Sequence, residues 1–140
     1  MNADERFQEY LFEMDDVLER FLSDLGPDGA RLDYSVESLD ALEEILSART
    51  GQSESNDEML INRAARYVGE VFRKNLGGVW RLCKKSKDYL YYGLPVVTEY
   101  SRKDIEFCPS EVVRNFLRRG RKGLIKVAVE SNRPWLSTGQ

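Results

Sequence analysis

The chain has 140 residues, 24 Asp and Glu against 21 Lys and Arg, a formal net charge of −3 and no histidine. That length suits one domain with a single core. The missing histidine excludes Ser-His and Cys-His nucleophile pairs, histidine-ligated zinc and histidine general bases. Carboxylate chemistry, lysine chemistry or no chemistry is left, and the expectation is a protein that is not an enzyme and carries no cofactor or metal.

Residues 4–25 carry the cleanest pattern. Phe7, Leu11, Met14, Leu18, Phe21 and Leu25 recur every three or four residues, which predicts one amphipathic helix ended by Gly26-Pro27. Ser35 is a candidate N-cap for a second helix over 36–48, with Val36, Leu39, Leu42, Ile45 and Leu46 as its apolar face. The polar stretch 50–57 predicts a loop, and Ser55-x-x-Glu58 matches a capping box that opens a third helix. On that helix Ile61, Ala64, Ala65, Val68, Phe72 and Leu76 share one face, and the small residues 64, 65 and 69 permit close approach of a neighbour.

Beyond Gly77-Gly78 the period changes from helical to two. "VWRLC" (79–83), "YLYYG" (89–93) and "PVVTEY" (95–100) predict three strands, with "KKSKD" as a hairpin turn between the first two. Pro95 places the third strand at an edge or after a turn. Pro109 and Ser110 open a short helix over 111–119 that Gly120 ends. "LIKVAVE" (124–130) alternates and favours a strand, although a helical turn also fits. "NRPWLSTGQ" reads as a tail that docks through Trp135. The resulting fold class is α+β: three N-terminal helices packed on a small antiparallel sheet, with a further short helix near the C-terminus.

Charge divides a single domain of residues 1–140 into an acidic helical half (1–60), a basic mixed half (61–130) and the tail (131–140). Residues 1–60 hold 17 acids against 4 arginines, and residues 61–140 hold 17 Lys and Arg against 7 acids. Such a split suits either an external partner or two halves that attract each other on folding. Two cysteines, Cys83 and Cys108, without a Cys-x-x-Cys pair read as buried thiols rather than a disulfide or zinc ribbon. The charged N-terminus lacks a signal-peptide pattern, and no apolar run reaches the roughly 18 residues of a membrane span. A cytoplasmic protein without a membrane role is expected, and secretion by a route that needs no signal peptide stays open.

Three groups of residues are candidates for function. Asp15, Asp16, Glu19, Glu43 and Glu44 form acidic clusters that suit a solvated helix face or a docking surface for a basic protein; no calcium-loop spacing accompanies them. Lys84, Lys85, Arg118, Arg119, Arg121 and Lys122, with aromatic residues close in sequence, are the alternative anion-binding set, a face for nucleic acid. No recognised nucleic-acid motif or P-loop spacing accompanies these. Glu70 has Arg66, Arg73 and Lys74 at helix-neighbour positions, so surface ion pairs with Arg66 and Lys74 are expected. A catalytic acid would need a second carboxylate or an apolar pocket, and Glu70 is therefore read as structural.

A wider pattern joins Ala65-x-Tyr67-x-Gly69-Glu70, Gly77-Gly78-x-Trp80, Tyr92-Gly93-Leu94-Pro95, Cys108-Pro109, Val113, Leu117 and Gly123-Leu124. In this order the residues resemble a group of small uncharacterised bacterial proteins, some of which resemble immunity proteins of toxin systems. The resemblance covers about residues 60–125. It implies helices packed on a small sheet, no established activity and no catalytic role for any residue; through the members that resemble immunity proteins it points to a protein partner, a toxin. Tyr67, Gly69, Glu70, Gly77, Gly78 and Trp80 are its structural motif, with Gly77 expected as a left-handed helix cap and Trp80 as the core anchor of the first strand.

Overall fold

The computed structural model describes residues 1–136, so the last four residues of the expected tail lie outside the described part. Helices dominate, joined by one two-stranded antiparallel sheet. The stretch expected to be one helix is two: α1 (Ala3–Phe12) and α2 (Met14–Asp24). Asn2 and Glu5 form a capping box at the start of α1. Between the two helices Glu13 sits at φ −86°, ψ −1°. No glycine or proline marks this break. It follows from packing: α1 lies on the sheet's first strand, whereas α2 lies on the long fourth helix.

A 3₁₀ turn (Gly26–Arg31) leads to α3 (Ser38–Arg49). Ser35 is not its N-cap: the helix begins two residues later than expected, with Glu37 at the N-cap position and no side-chain cap there, and the Ser35 hydroxyl accepts the Ser38 N–H at 3.1 Å in the turn that leads in. The next helix, α4 (Glu54–Leu76), is capped by Ser53, whose hydroxyl accepts the Asn56 N–H, and not by the expected Ser55 box. The earlier register wins because Asp57 turns back to accept the Gly51 N–H, closing the loop ahead of the helix.

The 23-residue α4 is the axis of the molecule. Every residue from Ala64 to Phe72 is buried, polar ones included, so this helix is enclosed around its circumference rather than lying on one apolar face. It packs against α2, α3, the helix over 109–119 and the sheet. Tyr67 pins it to the start of α3: its oxygen accepts the Tyr34 N–H at 2.8 Å and lies 2.6 Å from the Ser38 hydroxyl. Burial pushes the Tyr67 phenol up to about 12.

The sheet consists of β1 (Val79–Leu82) and β2 (Pro95–Thr98), with Trp80 opposite Val97. The expected middle strand, "YLYYG", is a series of turns, with Tyr89 N–H on Ser86 O and Tyr92 N–H on Tyr89 O. Its side chains are largely exposed, so aromatic β-propensity had no sheet face to satisfy. Consequently "KKSKD" is part of a long connection and not a tight hairpin turn. The chain between Gly77 and β1 approaches β2 closely: a Cβ on Gly78 would lie 2.8 Å from Thr98 O. Gly77 stops α4 with positive φ but extended ψ (94°, −167°), so it is not the left-handed cap expected of it.

Helix α5 (Pro109–Arg119) ends on Gly120 in a left-handed cap. The segment favoured as a strand is α6 (Leu124–Glu130). Ile125 and Val129 are fully buried while Val127 is 66% exposed; a strand would put all three on one face, whereas a helix turns Val127 away from the other two. Trp135 is half exposed in a final 3₁₀ turn, with the Lys103 ammonium 4.3 Å from its ring centre. No helix of the described residues is long and apolar enough to cross a membrane.

Candidate functional site

The expected acidic surface divides in two. Asp15, Asp16 and Glu19 lie exposed on α2, opposite the buried Met14, Leu18 and Phe21. Together with exposed Glu9 on α1 they make no ion pair among the described residues. Between them, at the α1–α2 corner, stands Phe12, 88% exposed. The residue is off the apolar stripe of α1, and an off-face phenylalanine next to acids is the signal that a periodicity reading passes over.

Glu43 and Glu44 are different. Glu44 is exposed and pairs with Arg31. Glu43 is 4% exposed and is corrected from a surface residue to an internal one. Its carboxylate accepts the N–H groups of Gly123 at 2.8 Å and Ile125 at 2.9 Å. It thereby satisfies free donors at the start of α6 and complements the positive helix end.

Part of the charge split is consumed inside the molecule. Lys84 pairs with Asp4, Arg63 with Asp24, Arg114 with Glu58 and Lys126 with Asp40, each joining the basic half to the acidic half. Lys85 is taken by Asp104 and Glu106. Thus the structure does not bring the six cations of the alternative set together as one free face. Arg118, Arg119, Arg121 and Lys122 are exposed around the α5–α6 corner and make no ion pair among the described residues.

Glu70 is corrected as well. It is 7% exposed and pairs with neither Arg66 nor Lys74. Arg73 donates to its Oε2 at 2.6 Å, and the Trp80 indole N–H donates to the same oxygen at 3.1 Å. Arg66 turns the other way, 4% exposed. It donates to Tyr10 O at 2.7 Å and Asn62 Oδ1 at 3.0 Å, and its guanidinium lies 3.9 Å from the Tyr10 ring centre. Burial lowers its pKa, opposed by the nearby Tyr10 and Glu13. A helix wheel misplaced both side chains because it assigns one buried face, and α4 has none that is free.

Trp80 occupies the notch left by Gly69: a Cβ there would lie 2.2 Å from two atoms of the indole ring. The edge of Tyr10 meets the indole at 5.5 Å between ring centres. Beside this pair opens a cleft of about 360 Å³ between α1, α4, α5 and the sheet, lined in part by Ala65, Trp80, Gly93, Leu94, Pro95 and Pro109. These residues belong to the dispersed sequence pattern; its later members, Val113, Leu117 and Gly123-Leu124, do not line the cleft. No group of three or more His, Cys, Asp or Glu among the described residues is placed to hold a metal ion. Comparisons with protein-family models, characterised proteins and solved structures found no match to this chain.

Proposed function

We propose that the chain is a non-enzymatic protein-binding module that docks a basic partner protein on the α1–α2 corner. The observation that carries this reading is Phe12, almost fully exposed, among the unpaired carboxylates of Glu9, Asp15, Asp16 and Glu19. An exposed aromatic supplies the contact area that anchors an interface. Unpaired surrounding charge steers a cationic partner and speeds encounter. The resemblance to immunity proteins extends the reading to a cytoplasmic inhibitor of a bacterial toxin, and the two unbridged thiols suit a reducing compartment.

The test is binding to, and protection against, the product of an adjacent toxin-like gene. Phe12→Ser and Asp15→Lys/Asp16→Lys variants are to weaken binding, the charge reversal mainly through a slower, salt-sensitive association rate. Equal binding by wild type and both variants removes this face from the interface. Absence of both binding and protection counts against the immunity role.

A second reading rests on the exposed, unpaired Arg118, Arg119, Arg121 and Lys122. It makes the α5–α6 corner a nucleic-acid contact. That reading requires oligonucleotide affinity that falls steeply with salt and is lost on reversing these charges. No binding at low salt ends it.

A further inference from the structure

The cleft beside Trp80 has a chemistry separate from the acidic corner. Its walls are apolar, built from Phe7, Ile61, Trp80, Leu94 and Pro109 around the Tyr10–Trp80 edge contact. Its volume of about 360 Å³ falls in the range of small-molecule sites. The polar groups on the lining are unequal in number. Glu58 is occupied by a two-pronged contact from Arg114, at 3.0 and 2.8 Å. The Asn62 carbonyl oxygen is already taken by Arg66. Donors are therefore in excess: the Asn62 amide N–H₂ and, above all, Arg6.

Arg6 is exposed on α1 and lines the same cleft. One of its terminal nitrogens donates to Met1 O at 2.8 Å, and no carboxylate of the described residues pairs with it. An apolar cleft with one uncompensated guanidinium at its side complements a ligand with an apolar body and one negative group. A flat ring matches the aromatic walls, and a planar carboxylate matches the two-pronged donor geometry of arginine.

We infer that this cleft binds a small aromatic carboxylate, with the ring against Phe7 and Trp80 and the carboxylate on Arg6. The inference does not depend on the acidic corner, and either can fail alone.

Phenylacetate, indole-3-acetate and the neutral isostere phenylacetamide are the probes, titrated into the full chain and followed by ¹⁵N correlation spectra. At least one acid is to shift the Trp80 indole N–H and the Leu94 amide saturably. Phenylacetamide is to bind about tenfold or more weakly than phenylacetate, as expected for losing a charged hydrogen bond. Arg6→Gln lies on an exposed helical position, and an otherwise unchanged spectrum verifies its fold. It is to weaken the acid by a similar factor while leaving the amide unaffected. The inference is overturned if neither acid shifts Trp80, if acid and amide bind alike, or if Arg6→Gln binds the acid as wild type does.

Discussion

The Glu70 carboxylate accepts the Trp80 indole N–H at 3.1 Å, tying the middle of α4 to the first strand across ten residues of chain. Arg73 holds the same oxygen at 2.6 Å. Glu70→Leu leaves the buried indole N–H without an acceptor and strips Arg73 of its partner. A loss of about 2–3 kcal/mol in urea unfolding is expected, the cost of stranding a buried donor. Glu70→Gln keeps a carbonyl oxygen for the indole and loses only the charge, so a smaller loss of about 1 kcal/mol is expected. Equal losses for Leu and Gln would show that the indole bond contributes nothing.

Gly69→Ala should break the usual rule for helices. In an exposed helix interior this change stabilises by about 1 kcal/mol. Here the new methyl would lie 2.2 Å from the Trp80 ring and 3.2 Å from Pro109 Cγ. The indole must shift, costing about 1–3 kcal/mol as other overpacked cores do. Trp80→Leu creates room beside residue 69, so adding Gly69→Ala to it should cost little or be favourable. A double-mutant cycle on thermal unfolding measures the coupling, and additive losses would refute the contact.

The carboxylate of Glu43 spans 80 residues of sequence to reach Gly123 N–H. Glu43→Ala leaves Gly123 and Ile125 amides without their acceptor and empties space in a closed contact. About 2–3 kcal/mol of stability should be lost. Hydrogen exchange locates the effect: the amides of α6 should lose protection earlier than those of α4. Loss spread evenly over both helices would mean that Glu43 acts on the whole core and not on the docking of α6.

These contacts also mark where local sequence stopped being informative. The apolar residues of α2, α3 and α4 were legible from their spacing, and so were the Gly77-Gly78 boundary, the burial of Trp80 and the closeness permitted by Gly69. What failed depended on partners remote in sequence. Alternation in "LIKVAVE" suggested a strand; the Glu43 acceptor and the burial of Ile125 with Val129 favour a helix. "YLYYG" has strand composition, but β1 pairs with the segment after it. Glu70 and Arg66 looked like surface charges because a wheel shows one helix alone, and α1, α2 and β1 cover that side of α4. Phe12, Arg6 and the cleft depend on the break at Glu13, which no glycine or proline announces.

The remaining prediction concerns acid. Arg114 donates to Glu58 at 3.0 and 2.8 Å and joins α5 to α4. That bonding holds the Glu58 carboxyl below its ordinary value and raises Arg114 above its own, side-chain hydrogen bonding being the largest cause for each. A carboxylate with a depressed folded-state pKa binds its proton more readily when unfolded. Its contribution is therefore complete above the unfolded value of about 4.3 and falls as pH drops through the lower folded value. The pair is largely exposed, so solvent limits it to about 0.5 kcal/mol. Glu58→Gln should accordingly be slightly less stable than wild type at neutral pH. The two should converge as pH is lowered well below 4, and a gap between their urea midpoints that stays constant across that range would contradict the assignment. Because Glu58 also lines the cleft, its neutralisation frees Arg114 as a second cation there. Glu58→Gln should then bind phenylacetate more tightly at neutral pH, an effect that measured affinity separates from stability.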